Sequence, residues 1–128
     1  MAVTSKIKYL VLLVDDDQRI LNFARLKLMA LGYHVITAIN GQGALTMIES
    51  HKPDLMVLDL KMPGMGGLEV LKVLRTSSKL PVIVISAAAD LAAEAACLGA
   101  NTYLPKPFNP DELLRKIEMM LASGEEQT

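Results

Sequence analysis

The chain is poor in the features that mark several functional classes. It holds a single cysteine, Cys97, so no disulfide can form within it, and a reducing cytoplasm is the expected compartment. No apolar stretch approaches the ~20 residues that a membrane-spanning helix needs. The first apolar run, Tyr9 to Val14, is too short for the core of a secretion signal and leads into Asp15, Asp16 and Asp17 without a small-residue cleavage site. Neither sign of charge dominates. Thirteen Lys and Arg stand against 14 Asp and Glu, a net charge of -1, which gives nucleic acid no electrostatic purchase on this domain. The two histidines, His34 and His51, have no partner at metal-ligand spacing. No internal repeat and no interior linker interrupts the chain.

What the chain has is apolar content: 52% of residues are hydrophobic and 21% charged, the profile of a folded globular chain. A domain commonly runs ~100–150 residues. A chain of this size buries roughly two thirds of its unfolded surface and needs no disulfide or metal to fold. One domain over 1–128 is expected, with a core over 8–121 and residues 122–128 forming a tail or the start of a linker.

Short apolar runs alternate with longer segments of helical period. Strands are predicted at Tyr9–Val14, His34–Ala38, Leu55–Leu58, Val82–Ile85 and Thr102–Leu104. Between them lie Ile20, Leu21, Phe23, Ala24, Leu28 and Leu31, stopped by Gly32; then Ala44, Leu45 and Ile48 behind an Asn40 cap; then Leu68 to Leu74; then the alanine-rich Asp90–Leu98, stopped by Gly99. Residues 61–67, rich in glycine around Pro63, read as a loop. The last helix has the clearest start, with Asn109 as cap, Pro110 at the first helical position and Glu112 three residues beyond the cap. Five strands alternating with five helices predict an α/β fold whose parallel sheet is covered on both faces. Ligands of such sheets bind beyond the carboxyl ends of the strands.

Polar residues fall at those ends. The first strand runs into Asp15-Asp16-Asp17, the third into Asp59, the fourth into Ser86, and the fifth through Pro105 to Lys106. Neighbouring strands lie ~4.8 Å apart, so these groups can converge. Adjacent carboxylates raise one another's pKa unless a cation neutralises them, and an all-oxygen site suits a hard cation such as Mg2+. A nearby lysine and hydroxyl suit a phosphoryl group, and a carboxylate can itself attack phosphorus. Asp17, just before the helical period begins, is read as an N-cap rather than a ligand.

Five landmarks carry a resemblance. They are Val11-Leu12-Leu13-Val14-Asp15-Asp16-Asp17, Asp54 through Asp59, Met62-Pro63-Gly64-Met65-Gly66-Gly67, Pro81 through Ser86-Ala87, and Tyr103-Leu104-Pro105-Lys106-Pro107-Phe108. In this order, over 8–121, they are similar to the receiver domains of bacterial two-component response regulators, the chemotaxis regulators among them. The resemblance implies the flavodoxin-like (βα)5 fold with strand order 2-1-3-4-5.

It also implies roles. Asp59 would accept a phosphoryl group from a sensor histidine kinase or phosphotransfer protein. Asp16 and Asp59 would ligate Mg2+, Asp15 would act mainly through water, and the Lys61 backbone carbonyl would add a ligand. Lys106 would pair with the phosphoryl oxygens, Ser86 would hydrogen-bond to one of them, and Tyr103 would turn inward as Ser86 moves. That motion would repack the face of the fourth helix, fifth strand and fifth helix, where an output domain or partner protein would dock. Lys61 and Ala88 lie where family members tune water access, and the resemblance implies a cis Lys106-Pro107 bond where the sequence alone favours trans. Asn101-Thr102 departs from the acidic residues that winged-helix regulators carry before the tyrosine, which puts their mode of dimerisation in doubt.

Each residue has a plainer reading: a turn for Asp59 and Ser86, an exposed lysine for Lys106, a half-buried strand aromatic for Tyr103. Met62, Met65 and Cys97 are read as packing residues. The expected function is a phosphoacceptor switch that catalyses only its own phosphorylation and dephosphorylation, with no direct contact to nucleic acid or membrane. A phosphatase of the haloacid-dehalogenase type would want an aspartate where Lys61 stands. A flavin module would want a phosphate-cradling loop where three aspartates would repel the phosphate. A docking module that is never phosphorylated remains the alternative, against which the complete set Asp15, Asp16, Asp59, Ser86 and Lys106 speaks.

Overall fold

The apolar runs form strands because β-branched and leucine side chains fill both sides of a pleated surface. The computed structural model describes residues 9–126. Its elements alternate strictly: β1 (Leu10–Val14), α1 (Gln18–Ala30), β2 (His34–Ala38), α2 (Gly41–His51), β3 (Leu55–Asp59), α3 (Gly67–Leu74), β4 (Val82–Ser86), α4 (Ala89–Cys97), β5 (Thr102–Pro105) and α5 (Pro110–Glu126). All strand pairs are parallel, in the order β2-β1-β3-β4-β5. The Lys106-Pro107 peptide bond is cis.

Period-two alternation sends one set of side chains to each face. Val11, Leu13, Leu55, Val57, Ile83 and Ile85 pack with Leu21 and Leu28 of α1 and Leu113 and Ile117 of α5. Leu12, Val14, Met56, Leu58, Val82 and Val84 pack with Ala44 of α2, Val70 and Leu71 of α3, and Ala95 of α4. A fully buried leucine or isoleucine contributes ~1.5–3 kcal/mol over an exposed one, so these two layers hold the fold.

The predicted caps are present. Asp17 accepts from Arg19 N at 3.0 Å, Asn40 from Gly43 N at 2.7 Å and Asn109 from Asp111 N at 2.9 Å. Gly32 takes a left-handed φ of 99° just beyond the Leu31 C-cap. Met62 is buried and Met65 packs on the α2–α4 layer, as gap-filling residues do, but Cys97 is exposed near the end of α4 rather than packed as expected.

The C-terminus differs from expectation. Helix α5 continues to Glu126 rather than ending at Leu121, because each further residue on an established helix adds one hydrogen bond without a new nucleation cost. Lys8 and the last two tail positions, Gln127 and Thr128, lie outside the described residues. Among the described residues no helix is long and apolar enough to cross a membrane.

Candidate functional site

The strand order makes β3 the neighbour of both β1 and β4, with β5 beyond, so the polar residues at the carboxyl ends of four strands gather at one edge. Asp15 follows β1, Asp59 and Ser86 end β3 and β4, and Lys106 follows β5. Asp15, Asp59 and Ser86 are the buried polar residues among those described, each 2% exposed.

Local hydrogen bonds orient each group. Asp15 N donates to the Ala38 carbonyl at 3.2 Å, continuing the β1–β2 pairing, and Asp15 Oδ1 accepts from Asp17 N at 2.9 Å. Such a turn spends one carboxylate oxygen on the backbone and leaves the other aimed into the site. Asp59 Oδ1 likewise accepts from Lys61 N at 3.2 Å. The chain after Asp59 is held by Leu60 N donating to Ile85 O and Gly67 N to Leu60 O, both at 3.1 Å. Gly67 sits where a Cβ would lie 2.8 Å from both the Asp59 carbonyl oxygen and Leu60 Cα, so only glycine lets α3 start this close to the site.

Lys106 closes the cluster. Its Nζ lies 3.3 Å from Asp59 Oδ2, to which it donates, and 3.4 Å from Asp15 Oδ2. Lys106 N donates to the Ser86 carbonyl at 3.0 Å, fixing where that side chain departs. Carboxylate oxygens of Asp15, Asp16 and Asp59 all fall within 4.8 Å of one another. Burial is the largest influence on Asp15 and drives its pKa from 3.8 up to about 6; Asp59 raises it too, against the lowering by the Asp17 N–H and Lys106. Burial works to depress Lys106, yet the charges of Asp15 and Asp59 outweigh it and hold the ammonium above its usual range. Asp17 stands apart, with its carboxyl held low mainly by the Arg19 side chain.

One atom tests whether the donor set suits a metal. Asp15 Oδ2 is buried with no hydrogen-bond partner, since Lys106 supplies charge at 3.4 Å without a bonding angle. A buried anionic oxygen left in that state costs free energy that a cation would recover. The donors are carboxylates, with Asp16 exposed and Asp15 and Asp59 buried, which suits a hard divalent cation that keeps some water.

Ser86 and Tyr103 adjoin the cluster rather than enter it. Ser86 Oγ donates to Ala88 O at 3.3 Å and accepts from Ala88 N at 3.0 Å, while the half-buried Tyr103 donates its hydroxyl proton to Ser86 O at 3.2 Å. The Lys61 side chain is exposed, and its backbone N–H is what touches Asp59. Sequence reasoning missed the Ala88 backbone as the partner of Ser86 and Gly67 as a spacer. The first is a pair of main-chain atoms with no side-chain signature, and the second reads as one more glycine of a loop.

Comparison with known proteins agrees with this arrangement. The family profile described as the response regulator receiver domain matches residues 11–118. The chain is 44% identical over 110 residues to the transcriptional regulatory protein KdpE of Mycobacterium tuberculosis, covering 84% of this chain and 49% of that protein. It is 43% identical over 114 residues to the response regulator MprA of Mycobacterium avium, covering 87% of this chain and 50% of that protein. It thus spans about half the length of the curated relatives it matches. Among solved structures, the receiver domain of a Francisella response regulator superposes with a TM-score of 0.85 at 32% identity, over 91% of this chain and 99% of that one. A CheY-like receiver domain protein of Methanospirillum hungatei gives 0.87 at 30% identity, over 94% and 98%.

Proposed function

The chain belongs to the response regulator receiver domain family of two-component signal transduction, and from that premise we propose that Asp59 is its phosphoacceptor and that Asp15, Asp16 and Lys106 form the machinery around it. The observation that carries this assignment is the Lys106 ammonium between Asp15 and Asp59, at 3.4 and 3.3 Å, within the cluster of three carboxylates. Receiver domains are not conventional enzymes, and they bind Mg2+ at an acidic site.

In the reaction, a carboxylate oxygen of Asp59 attacks the phosphorus of a phosphohistidine on a sensor kinase or phosphotransfer protein. The new P–O bond forms as the P–N bond breaks, and the leaving imidazole takes up a proton. Lys106 is held by two carboxylates within reach of the oxygens that gain charge, and as it already sits in place its contribution needs little reorganisation. Ser86 would give up Ala88 to donate its hydroxyl proton to a phosphoryl oxygen. Asp15, Asp16, Asp59 and the Lys61 carbonyl would hold Mg2+. Bound there, the ion would offset the negative charge of carboxylates and phosphoryl oxygens. The output is a changed surface on α4, β5 and α5 with Tyr103 in its path, read by a partner protein or by an output domain following α5. A cytoplasmic location accords with the one free thiol, Cys97.

Intact mass after incubation with acetyl phosphate, with and without Mg2+ and beside Asp59→Asn, tests the proposal. A single phosphoryl adduct that needs Mg2+ and is lost in Asp59→Asn is expected. No adduct under any of these conditions, nor with a kinase as donor, would leave only the docking-module function.

A further inference from the structure

Helix α4 is held by different means at its two ends. Its N-cap, Ala88, has no side chain to offer the first turn, and its backbone N–H and carbonyl are bonded instead to the Ser86 hydroxyl at 3.0 and 3.3 Å. Its last turn carries no basic residue to meet the partial negative charge of the closing carbonyls. That cation comes from another element. Arg75, the C-cap of α3, donates from Nε and Nη2 to the Gly99 carbonyl at 3.1 and 2.9 Å, from Nη2 to Asn101 Oδ1 at 3.2 Å, and from Nη1 to the Ser78 carbonyl at 3.2 Å. No carboxylate among the described residues pairs with it, so its charge rests on neutral oxygens.

The same oxygen of Asn101 accepts from Val82 N at 2.8 Å, and Asn101 N donates to Val82 O at 2.9 Å. One guanidinium therefore ties the end of α3, the start of β4, the end of α4 and the approach to β5. Gly99 is shaped to this contact. It closes α4 with a φ of +102°, and a Cβ there would come 2.9 Å from Arg75 Nε. Gly99 N bonds to Ala96 O and Ala100 N to Ala95 O, a Schellman closure that fixes the carbonyl Arg75 uses.

We propose that Arg75 is the hinge of the switch: it anchors the C-terminal end of α4 while Ser86, on exchanging Ala88 for a phosphoryl oxygen, releases the N-terminal end, so that α4 swings about Gly99 as a lever. This rests on the reading of Ser86 as a phosphoryl partner. The anchor matters because α4 has nine residues, fewer than the ~12–15 at which an isolated helix becomes even marginal. With its cap released and no anchor it would fray from both ends. Held at Gly99, it transmits a displacement. Arg75 is in this sense a positioning residue, remote from the reacting atoms.

Hydrogen exchange of the full chain, with and without Mg2+ and beryllofluoride as the phosphoryl mimic, tests the hinge. In the unaltered protein beryllofluoride should speed exchange over residues 88–92 and leave 95–100 within twofold. In Arg75→Gln, exchange over 95–100 should rise tenfold or more without any ligand, and the beryllofluoride response should spread along all of α4. Arg75→Lys, which keeps a cation at the helix end but not the fork, should restore part of the protection. Gly99→Ala displaces the guanidinium from the other side and serves if Arg75→Gln does not fold. Equal response at both ends of α4 in the unaltered protein, unchanged exchange over 95–100 in the variants, or a uniform rise across the sheet would each overturn the hinge. An acetyl phosphate adduct on Asp59 together with unchanged exchange over 95–100 in Arg75→Gln defeats the hinge alone. The absence of any adduct defeats the phosphoacceptor reading and the hinge with it.

Discussion

Lys106 and Asp59 lie 47 positions apart in the chain and meet with Nζ 3.3 Å from Oδ2. One lysine thereby serves two buried carboxylates, with Asp15 Oδ2 at 3.4 Å. A single ammonium leaves net negative charge in a confined space, which the proposed Mg2+ would offset.

Asp15 registers its own burial first and the charge of Asp59 second. Its folded-state pKa, about 6 against 3.8, means the native protein binds a proton more tightly than the unfolded chain does. Below 3.8 both states are protonated and the group contributes nothing. As pH rises towards 6 the native state loses stability, and above 6 the loss is complete, at most about 3 kcal/mol. Urea unfolding in a chelator should therefore show lower stability at pH 7.5 than at pH 5. Asp15→Asn should flatten that slope, and Mg2+ should stabilise the unaltered protein more at pH 7.5 than at pH 5. Equal slopes in the two proteins would rule out Asp15 as their source.

Removing the Ser86 hydroxyl should separate chemistry from signal. Ser86→Ala keeps Asp59, Lys106 and the acidic cluster, so acetyl phosphate should still modify the protein, at a rate lowered about 10- to 150-fold by loss of one hydrogen bond to a charged group. The Ala88 backbone loses its partner in either state. The ring resonances of Tyr103, whose hydroxyl bonds to the carbonyl of the same serine, should then respond to beryllofluoride far less than in the unaltered protein. A full Tyr103 response in Ser86→Ala would exclude the serine from the route.

Gly67→Ala tests how the backbone positions Asp59, the proposed phosphoacceptor. The added Cβ would stand 2.8 Å from Asp59 O and Leu60 Cα, so the loop after Asp59 must shift. A loss of about 1–3 kcal/mol, the usual cost of overpacking, is expected in chemical denaturation. It should come with slower adduct formation, because the Lys61 N–H that orients Asp59 moves with the loop. Loss of stability with an unaltered phosphorylation rate would show that the site tolerates the shift.

Helix α5 offers a paired control on the core. Ile117 is fully buried, whereas Met119 two residues on is 69% exposed. Ile117→Ala should cost about 2–5 kcal/mol by cavity formation, and Met119→Ala should stay within about 0.5 kcal/mol. Comparable losses at both positions would mean that Met119 is covered in solution.

Much of this molecule is legible in residues close together in the chain. The apolar runs at Tyr9–Val14 and Val82–Ile85, the caps at Asp17, Asn40 and Asn109, and the stops at Gly32 and Gly99 all follow from interactions spanning a few residues, which a linear reading samples directly. The site residues were legible for a related reason. A polar or charged side chain at the carboxyl end of an apolar strand has few structural explanations, and Asp15, Asp59, Ser86 and Lys106 all stand at such ends. The resemblance then supplied the strand order, and the structure agrees with it.

The sequence by itself determined which segments would be strands and helices and which polar groups would stand at one end of the sheet, but not every core-facing side chain, since Phe23, Leu31 and Val73 are exposed. Only the tertiary structure decided that Lys106 serves Asp15 and Asp59 together, that Asp15 Oδ2 is left without a hydrogen bond, and that Arg75 reaches Gly99, 24 positions on, rather than solvent. The physical reason is the range of the forces. Period and capping act over one or two turns of chain, whereas contacts between residues 24 to 91 positions apart exist only once strand order and register have set the distances.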